Sequence, residues 1–501
     1  MRRSNQNSNR KPWVNWVLFF VSIVVVFLLG LLASSITERR AEAVFAYQPK
    51  VKLSENEPRN SEWGKNYPME YESYMETSDT SFRTLFNGNA TIDMLEVDPR
   101  LVVLWAGYGF AKGYKQGRGH YYAIEDLRNT LRTGGSLKPD EGPMPATCWT
   151  CKSPDVPRFM NENGVAEFYE GKWAAKGHEV VNAIGCADCH DNETMDLKIT
   201  RPALIEGFQA MGKDIEKATH QEMRSLVCAQ CHVEYYFNKK KPVEGVPYLT
   251  FPWKNGQSAE EMLDYYNEIE FSDWTHQLSK APMLKAQHPG YELYKTGIHA
   301  ERGVSCADCH MPYQSQGGQK FTNHKMVSPL DNISASCQVC HRESESTLAK
   351  NVYDRQMKVI EIRDQAEVLI VRAHVEAKAA WDAGATESEM KGALQKIRAA
   401  QWFWDYAAAS HGGSFHSPLE TSRVVGKAID QAQEARILLS RVLAKYGMNN
   451  EIPYPDIATK AKAQQFIGLP MDQLRKEKEE FKKVVLPEWD RKAKEREAGY
   501  K

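Results

Sequence analysis

Apolar and polar positions fall into distinct textures along the chain. The first is an uncharged, mostly apolar run from Trp16 to Ile36, preceded by Arg2, Arg3, Arg10 and Lys11 and followed by Glu38, Arg39 and Arg40. A run of this length approaches the ~20 residues that span a bilayer. Basic residues on its leading side hold that end in the cytoplasm and direct the remainder outward. Ala41-Glu42-Ala43 is an acceptable cleavage site, so residues 1–43 read as an anchor or signal segment. A membrane anchor formed by residues 16–36 is expected to be retained. Either outcome places the rest of the chain in the periplasm.

From Tyr47 to Asp140 the chain has no cysteine and mixes aromatic, glycine and proline residues between short helical patterns. Gly107-Tyr-Gly109-Phe-Ala-Lys-Gly113 superficially resembles a dinucleotide loop, but the spacing departs from Gly-x-Gly-x-x-Gly and no β-branched run precedes it, so it reads as a turn. Between Cys148 and His341, prolines such as Pro154, Pro157, Pro242, Pro247, Pro252, Pro282 and Pro289 recur too often for long regular elements. Beyond His341 the texture changes. Residues 344–384, 387–410 and 420–446 carry apolar positions at helical spacing, through Val359, Ala366, Ile370, Ala377, Val424, Ala428, Ala432 and Leu438. Such stripes are expected to bury against each other or against a second copy of the chain. The tail from Asp472 to Lys501 is densely charged and reads as a solvated helix.

At 501 residues the chain could hold two or three ordinary domains. Its formal net charge of −1 gives no electrostatic case for nucleic acid.

The cysteines change the picture most. Five Cys-x-x-Cys pairs account for all ten. Four are followed by histidine: Cys186/Cys189/His190, Cys228/Cys231/His232, Cys306/Cys309/His310 and Cys337/Cys340/His341. The remaining one, Cys148/Cys151, is followed by Lys152. Cys-x-x-Cys-His is the attachment signature of c-type haem, in which two thiols bond to the porphyrin edge and the adjacent imidazole reaches the iron. Zinc would pair the Cys-x-x-Cys units two by two, leaving one over. A lysine in the imidazole's place can bind iron only as a neutral amine. One of five haems is thus chemically unlike its neighbours, and chemistry is expected there. No cysteine is left for a disulfide, in keeping with periplasmic maturation.

Each haem has a second axial position that an electron-transfer centre normally fills with protein. Of 14 histidines, four belong to motifs. His120, His178, His220, His276, His288, His299, His324, His374, His411 and His416 remain, enough to close four haems or all five.

One Cys-x-x-Cys-Lys followed by four Cys-x-x-Cys-His, with Gln-His-Pro between the third and fourth motifs, resembles ammonia-forming cytochrome c nitrite reductase. The resemblance covers roughly residues 64–450 and includes Arg118-Gly-His120, Leu131-Arg132-Thr-Gly, Cys231-His-Val-Glu-Tyr235, Lys285-Ala-Gln-His-Pro289 and Gly297-Ile-His299. It implies a catalytic haem on Lys152 with an open distal face, and Arg132, Tyr235 and His288 around the bound nitrite. It further implies His120 as distal ligand to the Cys228/Cys231 haem, His324 to Cys186/Cys189, His416 to Cys306/Cys309 and His299 to Cys337/Cys340. His411, a close neighbour of His416, is the alternative there. His178, His220, His276 and His374 are left as structural or surface residues. A calcium ion is implied beside the active haem, on the Glu234 side chain, the Tyr235 and Lys285 carbonyls and the Gln287 side chain, hard oxygen donors of the kind calcium takes.

The expected fold is therefore mainly α, a multihaem cytochrome c with a haem-packed core and long C-terminal helices. Its organisation would be residues 1–43 as anchor or signal, 44–343 as pentahaem catalytic region and 344–501 as long-helix region and dimer interface. The expected activity is six-electron reduction of nitrite to ammonium, using five covalent haem c and one calcium ion. Electrons would come from a membrane quinol dehydrogenase or a soluble multihaem cytochrome. The alternative readings are an electron carrier and a reductase of another small oxyanion such as sulfite.

Overall fold

In the computed structural model of the chain, residues 11–46, 49–86 and 88–500 are described. The chain divides after Lys52. Before that point stands one helix, α1 (Pro12–Ala46), whose Pro12–Glu38 portion is long and apolar enough to cross a membrane. Residues 53–501 form one compact unit, without a division near residue 343.

Three long helices dominate the second half: α2 (Glu345–Asp382), α3 (Glu387–Ala409) and α4 (Pro418–Lys445). They pack on one another because each presents a narrow stripe of small and branched residues. Ala366, Ile370, Ala373 and Ala377 of α2, Ala393, Ile397 and Ala400 of α3, and Val424, Ala428, Ala432 and Leu439 of α4 are all buried. Thr386 opens α3 with a reciprocal cap, its hydroxyl taking the Glu389 amide while the Glu389 carboxylate takes its own. Gly384, at φ +96, supplies the left-handed turn between α2 and α3. The end of α3 carries Trp402, Phe403, Trp404, Asp405 and Tyr406 into the interior, every one buried.

The stretch between Cys148 and His341 folds as short helices and three two-stranded antiparallel ribbons. These pair Tyr236–Asn238 with Tyr248–Thr250, Trp274–Thr275 with Pro282–Met283, and Tyr313–Gln316 with Gln319–Thr322.

The charged tail departs from the sequence expectation. It is helical, as α5 (Met471–Glu497), but it is packed rather than solvated: Lys478, Phe481, Trp489 and Ala493 are buried. Trp489 and Phe481 close on Trp173 with ring centres at 5.2 and 5.6 Å. Gly177 and Gly135 admit this helix, since a Cβ at either would collide with Trp489 or with the Glu477 carbonyl.

Candidate active site and cofactor cavity

All ten cysteines line one continuous cavity of about 2130 Å3, and none is paired with another as a disulfide. Two of the motifs, both reading Cys-Ala-Asp-Cys-His, are short helices pinned by their aspartates: the Asp188 carboxylate accepts the Gly185 amide at 2.8 Å, and the Asp308 carboxylate accepts that of Ser305 at 2.7 Å. Asp188 also meets the buried Arg201 at 2.5 Å, and Arg201 donates to the carbonyls of Thr150 and Ser153 at 2.7 and 2.8 Å. One guanidinium thus ties the Lys152 loop to the neighbouring motif. Beneath that loop Trp149 stacks on Trp173 at 5.1 Å and donates its indole N–H to the Trp173 carbonyl.

The histidines implied as axial partners stand in pairs across the cavity. Ring centres are 6.3 Å apart for His120 and His232, 6.2 Å for His190 and His324, 6.3 Å for His299 and His341, and 6.1 Å for His310 and His416. A metal held between two imidazole nitrogens at ~2 Å each requires ring centres about 6 Å apart. The outer nitrogens are set for that geometry: the Nδ1 atoms of His190, His310 and His324 contact the carbonyls of Met195, Val327 and Thr322 at 2.8, 2.9 and 2.8 Å. With the proton fixed on Nδ1, Nε2 is left as the lone-pair donor. Burial pushes His120 and His324 down to about 4 and His232 and His416 to about 3, which keeps the rings in the neutral form that binds metal. The cavity, the facing rings and the thiol pairs along its wall fit haem c.

His411 is not opposite a motif histidine. It stands 6.1 Å from His288, ring centre to ring centre and nearly perpendicular, with Nε2 3.3 Å from the Tyr114 hydroxyl. The sequence weighed His411 only as a distal ligand. Its second neighbour, Tyr114, carried no motif and was not singled out.

Arg132, Tyr235, His288 and Lys152 all line the same cavity. Arg132 sits in the turn Leu131–Thr133, which Thr130 caps through its hydroxyl, and its guanidinium lies over the Phe110 ring at 4.2 Å. Burial lowers the proton affinity of this guanidinium from its ordinary value. Tyr235 and His288 face each other with ring centres 6.4 Å apart. Burial holds the Tyr235 phenol well above its usual range and His288 well below the usual imidazole range.

Two of the groups implied for calcium, the Glu234 carboxylate and the Lys285 carbonyl, both meet Gln287. The Glu234 carboxylate accepts the Gln287 amide at 2.6 Å and the Tyr266 hydroxyl at 3.1 Å, while the Gln287 side-chain amide donates to the Lys285 carbonyl at 3.1 Å. Glu234 is 1% exposed, and burial, with Glu292 and Asp273 nearby, raises it well above the carboxylate range. Lys285 is spent on Asp405 at 2.7 Å. A dry carboxylate among carbonyls and carboxylates is the donor set a hard divalent cation compensates.

A family model, cytochrome c552, matches residues 59–497. The chain is 56% identical over 486 residues to cytochrome c-552 of Parabacteroides distasonis, covering 97% of each. It is 56% identical over 492 residues to cytochrome c-552 of Porphyromonas gingivalis, covering 98% of each. Among solved structures it is similar to the cytochrome c nitrite reductase of Desulfovibrio desulfuricans ATCC 27774, whose catalytic subunit is described with two calcium sites. That similarity has a TM-score of 0.71 at 30% identity and covers 85% of this chain and 91% of the other.

Proposed function

The chain belongs to the cytochrome c552 family, and on that premise we propose that it is a periplasmic multihaem oxidoreductase reducing nitrite to ammonium. The observation that carries this reading is the gathering of Arg132, Tyr235 and His288 on the wall of the cavity that Lys152 lines. Four ring pairs at iron-bridging distance serve the other motifs. The solved relative acts on nitrite, and its two calcium sites support a calcium ion on Glu234, Tyr235, Lys285 and Gln287 here.

When bound, the haems supply the electrons and the coordinating iron. The protein supplies the rest. Arg132 offers a permanent positive charge to the incoming anion. His288, buried and neutral at rest, gains proton affinity when that anion arrives and hands a proton to the departing oxygen. The Tyr235 hydroxyl, held protonated, donates a hydrogen bond. Glu234 and the Lys285 carbonyl would hold a divalent cation, which would fix the Tyr235 and Gln287-His288 segments in place. His190, His232, His310 and His341, each facing one of His324, His120, His416 and His299, would hold four further haems whose chemistry would be electron relay, with a membrane quinol dehydrogenase or a soluble multihaem cytochrome as the electron source. Residues 16–36 anchor the chain, and a second copy docks on the long helices.

Reduced viologen with nitrite should give ammonium at six electrons each, and magnetic resonance of the oxidised protein should show one high-spin haem that responds to nitrite or cyanide. Lys152→His should keep every haem attached and lower turnover. All haems low-spin and indifferent to both ligands would overturn the assignment.

A further inference from the structure

The glycine loop that the sequence offers as a false dinucleotide signature lies against the substrate cavity. Gly107, at φ +89, turns the chain closely over the Thr275 carbonyl and the Gln277 amide. Two residues on, Gly109 lies against the aliphatic stem of Arg132, where a Cβ would meet Cβ and Cγ at 3.9 Å. Phe110 follows, and its ring face receives the Arg132 guanidinium at 4.2 Å. The ring is itself immobilised, stacked on Tyr108 at 5.6 Å with 4° between planes and flanked by Trp105 and Tyr114 at 5.3 Å each.

The other restraint on Arg132 is slight. Its Nε reaches the Thr130 hydroxyl only at 3.4 Å. Among the described residues its contacts are the Thr130 hydroxyl and the Phe110 ring, and no carboxylate forms an ion pair with it. Lys285 shares the same ring at 5.0 Å but is neutralised by Asp405. The ring thus holds Arg132 without cancelling it. A carboxylate would position a guanidinium equally well and consume the charge an anion needs, whereas an aromatic face attracts the cation through its quadrupole and leaves the N–H edge free.

Resting on the reading of Arg132 as the anion-binding residue, we propose that Phe110 is a positioning residue that aims an uncompensated guanidinium at the substrate and so sets affinity for anionic over neutral substrates.

The test uses the holoenzyme with Phe110 replaced by a ring-trifluorinated phenylalanine, which keeps the shape and depletes the negative ring face. Haem content and absorption spectrum report that the protein is intact. Nitrite and hydroxylamine are compared in mildly alkaline buffer, where hydroxylamine is uncharged. The expected result is a KM for nitrite raised about tenfold, the scale of a desolvated cation–π contact, with kcat and the KM for hydroxylamine within twofold. Phe110→Tyr, which retains the ring face, should stay near the parent. Arg132→Gln separates the two readings. If it raises the nitrite KM while fluorination does not, the Phe110 proposal falls and the Arg132 assignment stands. If it leaves the nitrite KM unchanged, the Arg132 assignment falls. An equal rise in KM for both substrates on fluorination would show a merely structural ring and overturn the proposal.

Discussion

At the scale of single residues, the proton-donor role proposed for His288 rests on the cavity around it. Burial depresses its proton affinity, so an anion is needed to charge it and a proton taken up is readily given away. A positioned acid of this kind contributes ~10²–10⁴-fold. His288→Asn should lower ammonium formation by that factor while dithionite still reduces all the haems, and an unchanged turnover number would remove His288 from the reaction. Arg132, Tyr235 and His288 were each ambiguous as single letters, because an arginine in a turn, one tyrosine of a Tyr-Tyr pair and a histidine before proline have structural explanations. Their meaning lies in contacts such as Arg132 on Phe110 and Tyr235 facing His288, between residues far apart in sequence, which periodicity cannot report. The haem-binding motifs differ because their information is local: two thiols and one imidazole must lie within five residues to hold one porphyrin.

At the scale of elements, legibility follows the length of the stripe. α2, α3 and α4 begin and end within two residues of the apolar patterns at 344–384, 387–410 and 420–446, because each repeats its buried positions over many turns. α5 was legible as a helix but not as a packed one. Its four buried positions are widely spaced among charges, and one of them is Lys478. Its ammonium donates to the Thr133 hydroxyl at 2.8 Å and the Arg128 carbonyl at 3.2 Å between Trp173 and Phe481, with no carboxylate among these partners. Burial lowers it to about 7 from the 10.5 of a free lysine. A folded value below the unfolded one means that the unfolded chain holds more protons across that window, so this lysine's contribution to stability rises as pH rises from about 7 toward 10.5. Lys478→Met should therefore be more stable relative to the parent at neutral pH than at pH near 10. Denaturant titrations at both values check this, and a stability difference independent of pH would refute the buried, partly charged lysine.

At the scale of the whole molecule, one large cavity that all five cysteine motifs line stands beside a continuous cluster of buried apolar residues. The haem motifs foretold a haem-filled centre, but the ring pairing across it depends on chain reversals with no sequence period. The long helices then raise the question of a partner. The expected apolar stripes are turned inward against one another, so they no longer demand a second copy by themselves. What stays outside is Leu419 at 87% exposure, Ile437 at 52% and Met357 at 45%, on or at the ends of α2 and α4. The proposed dimer must use this outer surface, and a specific interface buries above ~1,000 Å² in total. Light scattering of the haem-loaded protein at micromolar concentration should give twice the chain mass. Ile437→Glu should give the single-chain mass with unchanged haem content, because an exposed substitution ordinarily shifts monomer stability by only about 0.5 kcal/mol. A parent protein that scatters as one chain would eliminate the dimer, and a variant that still scatters as two would move the interface away from α4.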